Sequence, residues 1–307
     1  DIVNIDNAMK WGFAWDAGPF EGWDALGVRK TTERMKTEGK TVPKWVLEML
    51  ESGRETFYSM KNGEKDYWCP FSKNPIKIKQ NPKEFNLALH KTSGNTIKRD
   101  LSASVNDMGD GILNVEFHSI LQPRLNPIDS SYVEMINHAL DLIDEDKYNA
   151  LVLGHQGPNF SAGANLNLFI DLTHNQQWKA LDFAVKTFQE MTQRIRFCKG
   201  PVVAAPFQLT LGGGTEIIQP AAHRVAAAET YMGFVEVGVG LIPGGGGTLR
   251  MILNAMDSGA GRMGAFQKIQ KTFEAIGFAK VATSADEAKH IGLLKKDDTI
   301  ILNRNHL

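Results

Sequence analysis

Residues 209–219 read Leu-Thr-Leu-Gly-Gly-Gly-Thr-Glu-Ile-Ile-Gln, and residues 236–250 read Glu-Val-Gly-Val-Gly-Leu-Ile-Pro-Gly-Gly-Gly-Gly-Thr-Leu-Arg. Two glycine clusters thus bracket two carboxylates, Glu216 and Glu236, each set among small or apolar neighbours. Gly212, Gly213 and Gly214 follow a strand-like run and precede a helix-like one. At such a helix start the backbone N–H groups point outward with partial positive charge. With no side chains in the way, a developing anion can approach them closely, which is the wiring of an oxyanion hole. Glu216 lies one helical turn beyond Gly213, so an acid/base group would sit beside that anion site.

A second stretch, Phe160-Ser161-Ala162-Gly163-Ala164-Asn165-Leu166, follows a buried strand-like run. Its small residues would let a ligand lie against the backbone, with the Ala164 N–H free to donate. Taken alone, it is also the sequence of an ordinary tight turn. Glu236, inside Met232–Gly238, is either the solvent-facing residue of a strand or a carboxylate held dry with a raised pKa. Gly244, behind Pro243, offers another accessible N–H. Neither glycine cluster is a nucleotide loop. Residues 244–247 lack the following Lys-Ser/Thr, and Pro243 stands where a dinucleotide fingerprint needs its third glycine. His155 and His223 have no triad partner or metal spacing, and both read as structural.

The 307 residues suit one large domain with a small one. Lys plus Arg (34) nearly balance Asp plus Glu (35), which argues against a nucleic-acid or membrane footprint. No apolar run approaches a membrane span, so no membrane insertion is expected. Cys69 and Cys198 have neither metal nor redox spacing, so no metal is expected, and a reducing, cytoplasmic setting is. The chain opens on Asp1 without a methionine. That predicts an excised piece of a longer polypeptide.

Along the chain, residues 1–65 read as an all-helical segment, with Asp6 capping a first helix and a third helix from about Pro43 to Met60. Residues 66–100, with Pro70, Pro75 and Pro82, read as a linker. From Leu101 strands and helices alternate. A hairpin is signalled at Gly109-Asp110-Gly111, with helices at about 129–145 and 176–197 and strands at 150–155, 202–207, 224–228, 231–235 and 299–302. Helices near 247–256, 264–277 and 284–291 complete the set. The pattern predicts an α/β domain of repeated ββα units over 101–307.

Together, the motifs at 160–166, 211–216 and 236–247, with Ser-Ala-Asp-Glu-Ala-Lys-His-Ile-Gly-Leu-Leu at 284–294, closely resemble the crotonase (enoyl-CoA hydratase/isomerase) superfamily. The resemblance runs from about Ser102 to Leu294 and implies the crotonase fold, with an acyl-CoA thioester as substrate. It implies that the N–H groups of Ala164 and Gly213 hold the thioester carbonyl. Glu216 and Glu236 would position one water across a 2-enoyl thioester, with Gly244 helping to hold it. Ala162, Gly163, Asn165, Leu166 and Gly212 would line the substrate, and the 162–166 backbone would meet the CoA adenine. The implied activity is an enoyl-CoA hydratase, a lyase of fatty-acid β-oxidation. The alternatives are a 3,2-enoyl-CoA isomerase using Glu236 alone and a non-catalytic acyl-CoA-binding scaffold.

Asn165 stands where many relatives carry Asp, and Pro206-Phe207-Gln208 replaces smaller residues. The chain ends soon after the 284–294 motif, where relatives continue into helices that cover the acyl pocket and build trimer contacts. Truncated C-terminal helices are therefore expected, without the elements that close the acyl pocket in relatives, while the resemblance itself implies a trimer-type homo-oligomer. Residues 9–24, Met-Lys-Trp-Gly-Phe-Ala-Trp-Asp-Ala-Gly-Pro-Phe-Glu-Gly-Trp-Asp, resemble the C-terminal helical domain of 3-hydroxyacyl-CoA dehydrogenases. That order resembles a bifunctional β-oxidation enzyme. Its NAD-binding domain would lie outside this chain, so no cofactor and no dehydrogenase activity are expected here, and contacts with the missing dehydrogenase part are.

Overall fold

An Asn62-Gly63 pair, with φ of 51° and 75°, joins two strands in the first part of the computed structural model, which describes residues 1–256 and 262–307. Two consecutive left-handed residues form the turn whose twist matches a hairpin. The contacts divide the chain into two units, Asp1–Gly94 and Asn95–Leu307.

In the first unit four helices, α1 (Ile2–Phe13), α2 (Pro19–Leu26), α3 (Val28–Thr37) and α4 (Lys44–Glu51), precede three strands, β1 (Tyr58–Lys61), β2 (Glu64–Cys69) and β3 (Asn74–Lys77), and a short α5 (Leu87–Lys91). The strands form an antiparallel sheet in the order β1-β2-β3. This corrects two expectations. The unit is not all helical, and residues 66–100 are not a plain linker. Pro75 does not break β3, because an edge strand tolerates a missing donor. The expected third helix stops at Glu51, and Phe57 and Tyr58 donate their N–H groups to Asp24 at 2.6 and 2.9 Å. Asp6 does not cap its own helix. Asp1 does, accepting from Asn4, while buried Asp6 accepts from the N–H groups of Phe20 and Glu21 at the start of α2. Phe20, Trp23 and Trp45 pack around the buried Phe57 at ring separations of 5.1–5.5 Å.

The second unit begins with β4 (Thr96–Arg99), β5 (Ala103–Asp107), β6 (Ile112–Phe117), α6 (Ser130–Asp144), β7 (Ala150–Leu153), α7 (Leu166–His174) and α8 (Trp178–Arg196). It continues with β8 (Val202–Ala204), β9 (Gln208–Leu211), α9 (Gly213–Ile218), β10 (His223–Ala227), β11 (Thr230–Gly233) and α10 (Gly247–Met256). Last come α11 (Arg262–Gly277), β12 (Val281–Ala282), α12 (Ala285–Ile291) and β13 (Thr299–Ile301). A seven-stranded sheet runs β13-β10-β8-β7-β6-β5-β4, and a three-stranded sheet runs β12-β11-β9. This is the α/β crotonase fold of ββα repeats.

The strands pair as the sequence pattern requires. The hairpin expected at 109–111 joins β5 to β6, with Ala103 opposite Phe117 and Asp107 opposite Leu113. Helix α6 buries Tyr132, Met135, Ile136, Ala139, Leu140 and Ile143, a helical spacing that covers the sheet. Across the fold, buried Arg224 at the start of β10 pairs with buried Asp298 just before β13 at 2.7 Å. Parallel β9 and β11 bring the loops after residues 211 and 233 side by side. Both glycine-rich stretches start there.

Candidate active site

The loop after β7 is held from below by a buried polar network. Asn126 donates to the carbonyl of Phe160 (3.1 Å), Ser161 Oγ donates to the Asn126 carbonyl (2.9 Å), and the Gly163 N–H donates to Ser161 Oγ (3.2 Å). His155 completes the support. Its Nδ1 accepts from the Gly157 N–H, so Nε2 carries the proton and donates to the Phe160 carbonyl at 3.0 Å. Burial lowers the His155 pKa to about 4, and it stays neutral in a structural role.

That network aims one amide. The N–H groups of Ala162, Gly163 and Asn165 are spent on Leu125, Ser161 and Ile128. Among the described residues, Ala164 N–H donates to no protein oxygen. It lies beside Gly213: a Cβ placed on Gly213 would be 3.6 Å from the Ala164 nitrogen, and one on Gly163 would be 3.3 Å from the Gly213 nitrogen. Backbone nitrogens from two different loops therefore lie close together. Asn165 caps α7, accepting from Asn167, and half-exposed Leu166 opens that helix.

Gly212 supplies the turn into α9 at φ 52° and ψ −124°, a conformation that residues with a side chain rarely adopt. A Cβ there would meet Glu236 Oε1 at 2.9 Å, so the Glu236 carboxylate lies against Gly212. Glu236 starts a short 3₁₀ turn, Glu236–Val239. Of the two readings left open for it, the structure selects a half-buried carboxylate, and its buried Oε2 has no hydrogen-bond partner among the described residues. Burial raises its pKa.

Glu216 is buried on α9. Its Oε1 accepts from the N–H groups of Gly245 at 2.7 Å and Gly247 at 2.9 Å. Burial lifts its pKa to about 7; the Gly247 and Gly245 N–H groups oppose the rise, and the charge of Glu236 adds to it. Gly244 lies next to this cradle, half-buried, and its carbonyl is held by Gln189 at 2.6 Å. The amides on Glu216 are thus those of Gly245 and Gly247. The role that the resemblance implies for Gly244, helping to hold the water, is separate from these contacts.

Three α8 residues were not singled out from sequence. Phe188 packs so closely on Gly245 that a Cβ there would sit 2.1 Å from its ring, and the same Cβ would be 2.7 Å from Glu216 Oε2. Gln189 and Thr192 hold the carbonyls of Gly244 and Gly245. In sequence these residues are an amphipathic stripe and no more. Only the fold brings that stripe against a loop more than fifty residues away. No group of three or more His, Cys, Asp or Glu gathers as a metal would need, and no helix is long and apolar enough to cross a membrane, among the described residues.

The arrangement brings the backbone nitrogens of Ala164 and Gly213 close together, with two carboxylates nearby, one of them buried with its pKa raised to about 7. The sequence profile of the Enoyl-CoA hydratase/isomerase family matches residues 121–297. The chain belongs to that family.

The enoyl-CoA hydratase from Bacillus anthracis has a similar structure, with 25% identity and a TM-score of 0.53 over 66% of this chain and 70% of that one. A Bacillus subtilis protein named "Probable 3-hydroxyacyl-CoA dehydrogenase" is 42% identical over all of this chain and 38% of its own length. The "Fatty acid oxidation complex subunit alpha" of Aliivibrio fischeri is 32% identical over 42% of this chain and 19% of its own. The chain therefore spans well under half the length of these curated relatives.

Proposed function

We propose that the second unit is an enoyl-CoA hydratase, adding water across the 2,3 double bond of a 2-enoyl-CoA. The observation that carries this reading is Glu216, held dry on two amides and raised to about pH 7, on the element that also carries the Gly213 donor. Water attacks Cβ of the enoyl thioester as one glutamate takes its proton. The electron pair moves through Cα onto the thioester oxygen, and the other glutamate delivers a proton to Cα. The N–H groups of Ala164 and Gly213 stabilise the enolate oxygen, each such donor being worth roughly 3 kcal/mol of barrier. A carboxyl near pH 7 holds and releases a proton with similar ease, which suits a readily reversed addition.

A 3,2-enoyl-CoA isomerase is the second reading. Glu216 Oε1 is occupied by two amides, whereas Glu236 Oε2 has no partner among the described residues, which leaves Glu236 to carry a proton between carbons. The first unit, by its resemblance and the name of the B. subtilis relative, is the tail of a dehydrogenase portion, with NAD bound elsewhere in a longer protein.

The test is to incubate the protein with a 2-enoyl-CoA in ¹⁸O-labelled water, and separately with a 3-enoyl-CoA. Labelled 3-hydroxyacyl-CoA supports hydration. A 2-enoyl product from the 3-enoyl substrate, with no label taken up from the 2-enoyl substrate, selects the isomerase. Tight binding without either product selects a scaffold.

A further inference from the structure

Helix α8 carries no group assigned to the chemistry, yet two of its side chains reach the loop that holds Glu216. Gln189 Nε2 donates to the Gly244 carbonyl at 2.6 Å, and buried Thr192 Oγ1 donates to the Gly245 carbonyl at 2.7 Å. They are three residues apart and so share one face of α8. The Gly244 carbonyl belongs to the same peptide unit as the Gly245 N–H, which donates to Glu216 Oε1. A donor on the oxygen of a peptide polarises its N–H and strengthens the bond that N–H makes. The Thr192 hydroxyl has a single hydrogen and a second acceptor in reach, the Gln189 carbonyl of its own helix at 2.8 Å. Anchoring the loop therefore competes with the usual back-bond to the preceding turn.

We propose that Gln189 and Thr192 are positioning residues for Glu216, clamping the two successive peptide units that carry the Gly245 and Gly246 N–H groups so that the 245–247 loop stays aimed at its carboxylate. The proposal rests on the acid/base role given to Glu216 above. The surroundings isolate the effect. From α8 the groups facing the site are Val185, Phe188, Gln189 and Thr192, all uncharged. Gly247 faces it from α10, whose Arg250 is turned to Gln193. Glu236 is the charged group that acts on Glu216, and its charge raises the Glu216 pKa. Amide donors favour the ionised carboxylate, so loosening the clamp moves the protonation midpoint of Glu216 upward.

The experiment is carboxyl ¹³C NMR titration of glutamate-labelled protein, the Glu216 signal being identified by its loss in Glu216→Gln. Thr192→Val removes the hydroxyl at constant shape, Gln189→Met removes the amide at an exposed position, and Thr192→Ser restores the donor. The clamp predicts a midpoint about one pH unit higher in Thr192→Val and Gln189→Met, with wild-type behaviour in Thr192→Ser. Unchanged midpoints in folded Gln189→Met and Thr192→Val would overturn it. If Thr192→Val does not fold, Gln189→Met decides alone. The readout needs no substrate, so a protein inactive on every enoyl thioester would refute the hydratase reading and leave this test standing. If the wild type is active, the limb of the pH–rate profile lost in Glu216→Gln should move by the same amount.

Discussion

The Glu236 carboxylate lies directly against Gly212, where a Cβ would come within 2.9 Å of Oε1. Gly212 also has φ 52° and ψ −124°, so a side chain there is penalised by the backbone as well as by the contact. Gly212→Ala should destabilise the fold by about 1–3 kcal/mol and displace Glu236. Denaturant unfolding checks the first effect. The second should appear as lost turnover in the fraction that remains folded.

Glu216 should make the protein less stable as pH rises. An ordinary glutamate loses its proton near 4.5, whereas Glu216 in the fold holds its proton to about pH 7. Between those values the folded state binds more protons than the unfolded one, so stability falls as pH rises through that window. Above it the cost amounts to about 3 kcal/mol. Glu216→Gln removes the titration, so it should raise the melting temperature at pH 8 and do little at pH 4. An equal change at both values would contradict a raised folded-state pKa.

Arg224 and Asp298 form a buried ion pair at 2.7 Å, and Asp298 also accepts the N–H groups of Arg224 and Lys295. Removing one partner strands the other without water. Asp298→Ala should cost about 3–5 kcal/mol, and replacing both residues with apolar ones of similar volume should cost much less. A double-mutant cycle in urea measures the difference.

The helical and strand periods of the second unit, and the three motifs that carry the site, were legible because local chemistry fixes them. Gly212 needs its φ, Gly109–Gly111 needs a turn, and α6 shows its buried face in its spacing. The strands of the first unit were hidden by their polarity. Residues 58–77 carry Lys, Glu and Asp between apolar positions, although Asn62-Gly63 was a readable hairpin signal. Asp6 was misread because its partners, Phe20 and Glu21, are more than ten residues away. The roles of Phe188, Gln189 and Thr192 depend on where α8 packs, and no local pattern holds that information.

Glu216 and Glu236 should each prove necessary if both act. Each change to Gln should lower the turnover number by about 10²–10⁴-fold, typical of a lost general acid or base, while CoA-thioester binding is retained. Loss confined to Glu236→Gln would instead fit the single-carboxylate isomerase. Titration calorimetry with a non-reactive acyl-CoA separates binding from chemistry.

The most direct test is the decay of the conjugated enoyl-thioester ultraviolet absorbance when the protein meets crotonyl-CoA or a longer 2-enoyl-CoA. It would be followed in parallel for Glu216→Gln and Glu236→Gln. Two-glutamate hydration predicts decay with the wild type and its collapse in both variants. Full decay in either variant, or none with folded wild-type protein that binds the thioester, would contradict it.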